Sequence, residues 1–307
     1  MTSALAGSND TEKLGSLCGM TYKDQAIWFL NAFWESFASA EAEKLWGYVL
    51  KCGELDGKKA EGNALDELNA HRFLEQIGET LTVVSLRDKL RSTGAIGQTE
   101  RPKVVPLTHY LLFKYGVDWH TLVNSAGDNS EEIAKAQRML DEVTAAFQEA
   151  ERQAEYARQQ EAPFKAAQEE VDAALSEVNA QEEARNNRTA ELERKSKEGG
   201  VVQQNKAKAE LAQHLAEDPL PLRKAKITLE AALKKAEKAR APFEEARRRA
   251  EEAADEARRK VEEVEAYFEE VKSRPGSPHG RIWWMERELQ EQKKYLPASK
   301  GGVIARK

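Results

Sequence analysis

The side chains best placed to do chemistry are cations that come in runs. Lys234, Lys235 and Lys238 are followed by Arg247, Arg248 and Arg249; Lys135 and Arg138 lie in an earlier stretch; Lys293 and Lys294 close a segment that opens on Trp283 and Trp284. Clustered ammonium and guanidinium groups attract an anionic partner, and that attraction is screened beyond about 8 Å at physiological salt. Taken singly, each of these cations also suits a solvated helix face with a carboxylate four residues away. Adjacent tryptophans in a polar segment form an apolar patch that must dock, either on the chain itself or on a partner.

Catalytic sets are missing. The sequence has no phosphate loop and no nucleophile with a base nearby, and His71, His109, His120, His214 and His279 are scattered without ligand spacing. Cys18 and Cys52 fit neither a metal site nor a disulfide framework. The expectation is a binding protein, not an enzyme, with no cofactor and no metal.

The long stretch from residue 131 to 273 must position most of these cations. Apolar residues recur there at alternating steps of three and four, through Ile133, Ala136, Leu140, Val143 and Phe147 outward, and through Leu222, Leu229, Leu233 and Ala236 to Val264, Phe268 and Val271 on the return. A seven-residue repeat of this kind keeps one seam facing a partner helix. Folding the chain back on itself sets Phe164 against Phe243, Val171 against Ala236, Val178 against Leu229 and Val143 against Val264. The same register opposes Glu161 to Arg247, Glu182 to Lys226 and Gln168 to Arg240. An antiparallel hairpin follows, although an antiparallel dimer would show the same complementarity. Its seam is read as passing through Gln168, Leu175 and Glu182 outward and through Lys226, Leu233, Arg240 and Arg247 on the return.

Pro163 and Pro242 fall at nearly the same level, which predicts a shared kink. Gly199 and Gly200 stop the outgoing arm, residues 203–216 make a short helix, and Pro219 and Pro221 lead into the return. Each arm would span roughly 75 Å at 1.5 Å per residue. Ser130, followed by Glu131 and Glu132, reads as the helix start.

Residues 1–20 read as a mobile leader and residues 21–125 as a helical head. Ala26, Ile27, Phe29, Leu30, Phe33, Trp34 and Phe37 repeat at helical spacing, and that signal extends to about residue 51. Further helices are expected at about residues 66–77, 80–90 and 107–115, with a linker at 116–130. Two helix–loop–helix units in tandem suggest an EF-hand pair, which binds calcium through oxygens at loop positions 1, 3, 5 and 12, with glycine at 6. Setting Val105 at position 8 puts Gln98, Glu100, Pro102 and His109 at those four places. Setting Leu65 there puts Lys58, Ala60, Gly62 and Asn69 at them. Neither loop supplies a carboxylate cage, so the expected fold is all-α: a degenerate EF-hand-like head, a long antiparallel coiled-coil hairpin over 130–274, and a short C-terminal helix in a basic tail, 275–307.

Charge is uneven. Residues 274–307 hold eight Lys or Arg against three Glu, so a tail of +5 leaves −11 for the rest of a chain of net −6. Acidity over the body argues against nucleic acid. No apolar run is long enough for a bilayer and the first residues lack a secretory pattern, so a cytoplasmic protein without membrane contact is expected.

Several segments together resemble the calcium-regulated actin-bundling proteins of amoebae and other protists. They are Phe29-Leu30-Asn31-Ala32-Phe33-Trp34, Glu61-Gly62-Asn63 with Leu65-Asp66, Tyr110-Leu111-Leu112, the coil start from Ile133 to Val143, and above all Ile282-Trp283-Trp284-Met285 followed by Lys293-Lys294. The resemblance implies a cytoskeletal protein that binds and cross-links filamentous actin (F-actin). The cation runs and the Trp283-Trp284 pair are then candidate actin contacts. Because residues 98–109 lack the family's ligand set, bundling is expected to be calcium-insensitive. Two sites on one chain and a homodimer both remain open, and the competing class is a coiled-coil adaptor for another protein.

Overall fold

The computed structural model describes residues 4–79, 82–125, 130–274 and 278–294. Parts of the expected leader, linkers and tail (residues 1–3, 126–129, 275–277 and 295–307), the expected helix start at residue 80 and the Ser130 cap lie outside what it describes. The chain divides into two compact units, Met1–Ala145 with Arg258–Lys307, and Ala146–Ala257.

The first unit opens on a helix, α1 (Asp10–Cys18), where a mobile leader is expected. The Asn9 side chain accepts the Glu12 N–H and so caps the helix, and Leu14 and Leu17, three residues apart, are buried. Two leucines in a Gly- and Ser-rich segment are enough to anchor it once the core offers them a place. Asp10 then meets His120 at 2.6 Å and Asn124 at 2.9 Å.

The aromatic stretch forms α2 (Tyr22–Phe33) and α3 (Ser39–Leu55), joined through one wide π-helical turn at Trp34–Ala38. Strand β1 (Ala64–Asp66) leads into α4 (Glu67–Gln76); α5 (Val83–Ser92) is followed by β2 (Val104–Pro106) and α6 (Leu107–Tyr115). The two strands pair antiparallel with Leu65 opposite Val105, the residues expected at the eighth place of each loop. Gln25 is fully buried at the centre: its amide oxygen accepts from the Thr108 N–H and hydroxyl, and its nitrogen donates to the carbonyls of Met20 and Asn63. One glutamine thus ties α2 to both loops, with all four bonds satisfied. Gly116, at φ 60°, ends α6 in the left-handed region. Part of the expected linker folds as α7 (Trp119–Val123), capped by Asp118 and held by the bond from Trp28 Nε1 to the Leu122 carbonyl.

Helices α8 (Ser130–Lys195) and α10 (Leu220–Lys272) are the hairpin arms, running through Pro163 and Pro242 without a break, and α9 (Val201–Ala216) lies between them in sequence. Gly199, at φ 95°, turns the chain after α8. Helix α11 (His279–Lys293) belongs to the first unit.

Within Ala146–Ala257 the arms pair in the expected register. In the second unit Phe164 stacks on Phe243 at 5.2 Å and Lys226 meets Glu182 at 2.8 Å; in the first, Lys260 meets Glu142 at 2.8 Å and Arg274 bonds Glu132. Half of the expected seam is displaced by one residue, however. In the second unit Ala167, Ala174, Ala225, Ala232 and Ala246 are buried, whereas Leu175 is 45% exposed and Leu233 is 50% exposed. A column of alanines lets two helices approach closely, while Lys226, Arg240 and Arg247 could enter a seam only by losing hydration. Those cations therefore flank it, and Glu161 pairs with Lys165 and Arg247 with Glu251 along their own helices.

Candidate functional site

The paired loops of the first unit present a polar site only in outline. In the second loop Gln98 donates to the Arg91 carbonyl at 3.0 Å, and the Glu100 carboxylate accepts the Gly97 N–H at 3.0 Å. The Glu100 and Pro102 carbonyls are occupied by the guanidinium groups of Arg91 and Arg87 at 2.8 and 2.6 Å. The last place belongs to His109, whose burial pushes its imidazole down to about 4. Near the first loop, Asp56 accepts the Tyr22 hydroxyl at 2.7 Å and the Lys58 N–H at 2.9 Å. Among the described residues, no three His, Cys, Asp or Glu stand together as a metal requires. The groups present do not fit calcium: the carboxylates are few, that of Glu100 is bonded to the Gly97 N–H, and arginines bond the loop carbonyls.

The tail residues are drawn into the first unit. Trp284 is buried with its ring 4.8 Å from Trp46, and Trp283 is partly buried against the same core. Arg287 lies 5.0 Å from the Trp46 ring centre and bonds Glu43 at 2.9 Å. The backbone N–H of Arg281 donates to the Asn31 side chain at 3.0 Å, and His279 stacks on Trp34 with planes 11° apart. The opposite face of α11 buries Ile282, Met285 and Leu289, while Lys293 bonds Glu265 and Lys272 bonds Glu286. Lys294 pairs with Glu291 at 2.7 Å. Here, where a third helix adds its own buried face, the arms bury a broader stripe that includes Ala136, Leu140, Val143, Val264 and Phe268. Lys135 sits over the Tyr267 ring at 4.2 Å and Arg138 is exposed.

The second unit carries its cations outward. Lys234, Lys235, Lys238, Arg247, Arg248 and Arg249 are all exposed. Lys234 pairs with Glu230, Arg248 with Glu252 and Arg249 with Glu245 along α10, and Lys235 reaches Glu170 on α8. Exposed pairs of this kind contribute about 0.3–0.5 kcal/mol each, so they are readily exchanged for a better partner.

A surface that the heptad reading does not find lies where α9 begins. Val201 and Val202 are 74% and 83% exposed. Between Arg185 and Lys226 the sequence has ten Lys or Arg against six Asp or Glu. The clue available in the sequence is two valines after Gly199-Gly200 in a stretch with no seam of its own.

No helix among the described residues is long and apolar enough to cross a membrane. None of the curated proteins matches this chain. A crystal structure of the 34 kDa F-actin bundling protein from Dictyostelium discoideum is similar at 21% identity and a TM-score of 0.46, covering 97% of this chain and 99% of the other. The family described as F actin bundling C terminal matches residues 107–267, from α6 through the whole second unit and most of α10. With more than half of its 307 residues inside that match, the chain belongs to the F-actin bundling C-terminal family.

Proposed function

We propose that the chain binds actin filaments and bundles them, and that it does so without calcium control. The observation that carries the reading is the family match over residues 107–267, a span that holds nearly all of the exposed cations described above. Actin filaments present acidic surface, so the contact is assigned to Lys234, Lys235, Lys238, Arg247, Arg248 and Arg249, with Lys135 and Arg138 as further candidates. Trp283, Trp284, Lys293 and Lys294 are assigned instead to holding α11 in place. The paired loops are taken as EF-hand-like elements without a metal, since Arg87 and Arg91 occupy carbonyls of the second loop. An activity of this kind places the protein with the cytoskeleton.

A second reading, an adaptor for another protein, is favoured by the intrachain partners of the cations and by the docked tail. Sedimentation with actin filaments separates the two. Binding at high speed and bundles at low speed, equal in calcium and in chelator, are expected. If the protein stays in the supernatant, actin binding is wrong; if bundling falls with calcium, or calorimetry finds micromolar calcium binding, the insensitivity is wrong.

A further inference from the structure

We propose that a second copy of this chain docks on the flank of the second unit marked by Leu175 and Leu233, the two hairpins lying side by side and pointing the same way. Levels along this flank follow from the Glu182–Lys226 contact at 2.8 Å. Steps of seven residues along each arm bring Leu175 to the level of Leu233, and two steps further bring Glu161 to the level of Arg247. The α8 side therefore reads Glu182, Leu175, Gln168, Glu161, and the α10 side reads Lys226, Leu233, Arg240, Arg247. Both leucines are about half exposed, outside the alanine seam.

Symmetry decides how such a flank can meet itself. A two-fold axis parallel to the arms lays each α8 line over the α10 line of the other copy, with Glu182 against Lys226, Glu161 against Arg247 and the leucines between them. An axis across the arms would set Glu182 against Glu161 and Lys226 against Arg247 with the leucines apart, or, with each leucine facing its own copy, Lys226 against Arg240. Charge thus selects the parallel pair and disfavours the antiparallel one. The opposite flank, marked by the Lys235–Glu170 pair, has Pro163 and Pro242 and no opposed exposed leucines.

The ion pairs already present do not prevent docking. Side-chain exposures of 45% at Glu182 and 55% at Lys226 leave room for a second bond to each. Two leucines per copy cover far less than the roughly 800 Å² per partner of a standard interface, so the association is reversible and salt-sensitive.

Sedimentation equilibrium of the full chain, without actin, tests this. The weight-average mass is expected to rise with concentration from 34.5 kDa toward twice that value, and less so at high salt. Leu175→Ser with Leu233→Ser is expected to hold the mass at the monomer value while helix content, read by circular dichroism, stays unchanged and melting falls by only about a few degrees. Glu182→Lys and Lys226→Glu are each expected to weaken association, and an equimolar mixture of the two to restore it. A monomer at every concentration, serine variants that associate as before, or a mixture no better than its components would overturn the proposal. Filaments play no part in the measurement, so its failure would leave the actin reading intact.

Discussion

A methyl group at residue 280 would lie 2.6 Å from Leu30 Cβ and 2.8 Å from the Asn31 backbone nitrogen, closer than such atoms can approach. Gly280 is therefore what lets α11 begin against α2. Gly280→Ala is expected to lift the first turn of α11, breaking the bond from the Arg281 N–H to Asn31 and the stacking of His279 on Trp34. Overpacking of this kind costs about 1–3 kcal/mol. The urea midpoint should fall and the fluorescence of Trp284 should shift to the red; unchanged emission would place the constraint elsewhere. His109 acts at the same scale through its proton. Burial lowers its pKa from 6.5 to about 4, so between those values the unfolded chain holds more protons than the folded one. The stability it provides is full above pH 6.5 and is lost as pH falls toward 4, a loss of order 3 kcal/mol at about 1.36 kcal/mol per unit. In His109→Gln, the urea midpoint between pH 6.5 and 4 should fall less steeply than in the parent. An identical slope would show that other groups carry the pH dependence.

Helices α8 and α10 depend on which residues meet between them. Ala232 is 7% exposed in the seam and Leu233 is 50% exposed beside it, so adjacent residues should respond in opposite ways to a change of size. Ala232→Leu is expected to push the arms apart and cost about 1–3 kcal/mol, whereas Leu233→Ala should cost less than about 1 kcal/mol. Thermal melting distinguishes them, and equal losses would show that the seam runs through both. This column is also where reading from the sequence reached its limit. The line through Phe164, Val171 and Val178 was legible, because large apolar residues recur every seven and Phe164 does meet Phe243. The second line was ambiguous between alanines at 167 and 174 and the mixed set at 168 and 175, and counting sevens cannot choose between neighbouring columns. The distance of closest approach makes that choice, and it is a property of two helices rather than one. The paired loops were legible for the opposite reason: Leu65 and Val105 mark the eighth place of each loop by local pattern, and they face each other in the ribbon. Helices α1 and α7 were not, since Leu14, Leu17 and Trp119 become informative only once a core exists to receive them.

Across the whole chain the cations divide into those engaged with the first unit and those displayed by the second. Lys293 and Arg287 bond Glu265 and Glu43, and their side chains are mostly covered. Lys234, Lys235 and Lys238 lie along α10 with most of their surface in water, inside the span that carries the family match. Reversing the sign of each group should therefore be felt in different measurements. Lys234→Glu, Lys235→Glu and Lys238→Glu together should leave the fold intact and weaken filament binding roughly tenfold, at about 0.5 kcal/mol for each lost contact. The weakening should shrink as salt is raised, because screening removes the same term from the parent protein. Lys293→Glu with Lys294→Glu should instead lower the melting temperature by placing like charges beside Glu265 and Glu291, while the folded variant binds filaments as the parent does. Cosedimentation across a salt series, with melting curves on the same samples, compares the two sets. If the tail variant loses binding without losing stability, α11 belongs to the filament contact and the assignment to α10 fails.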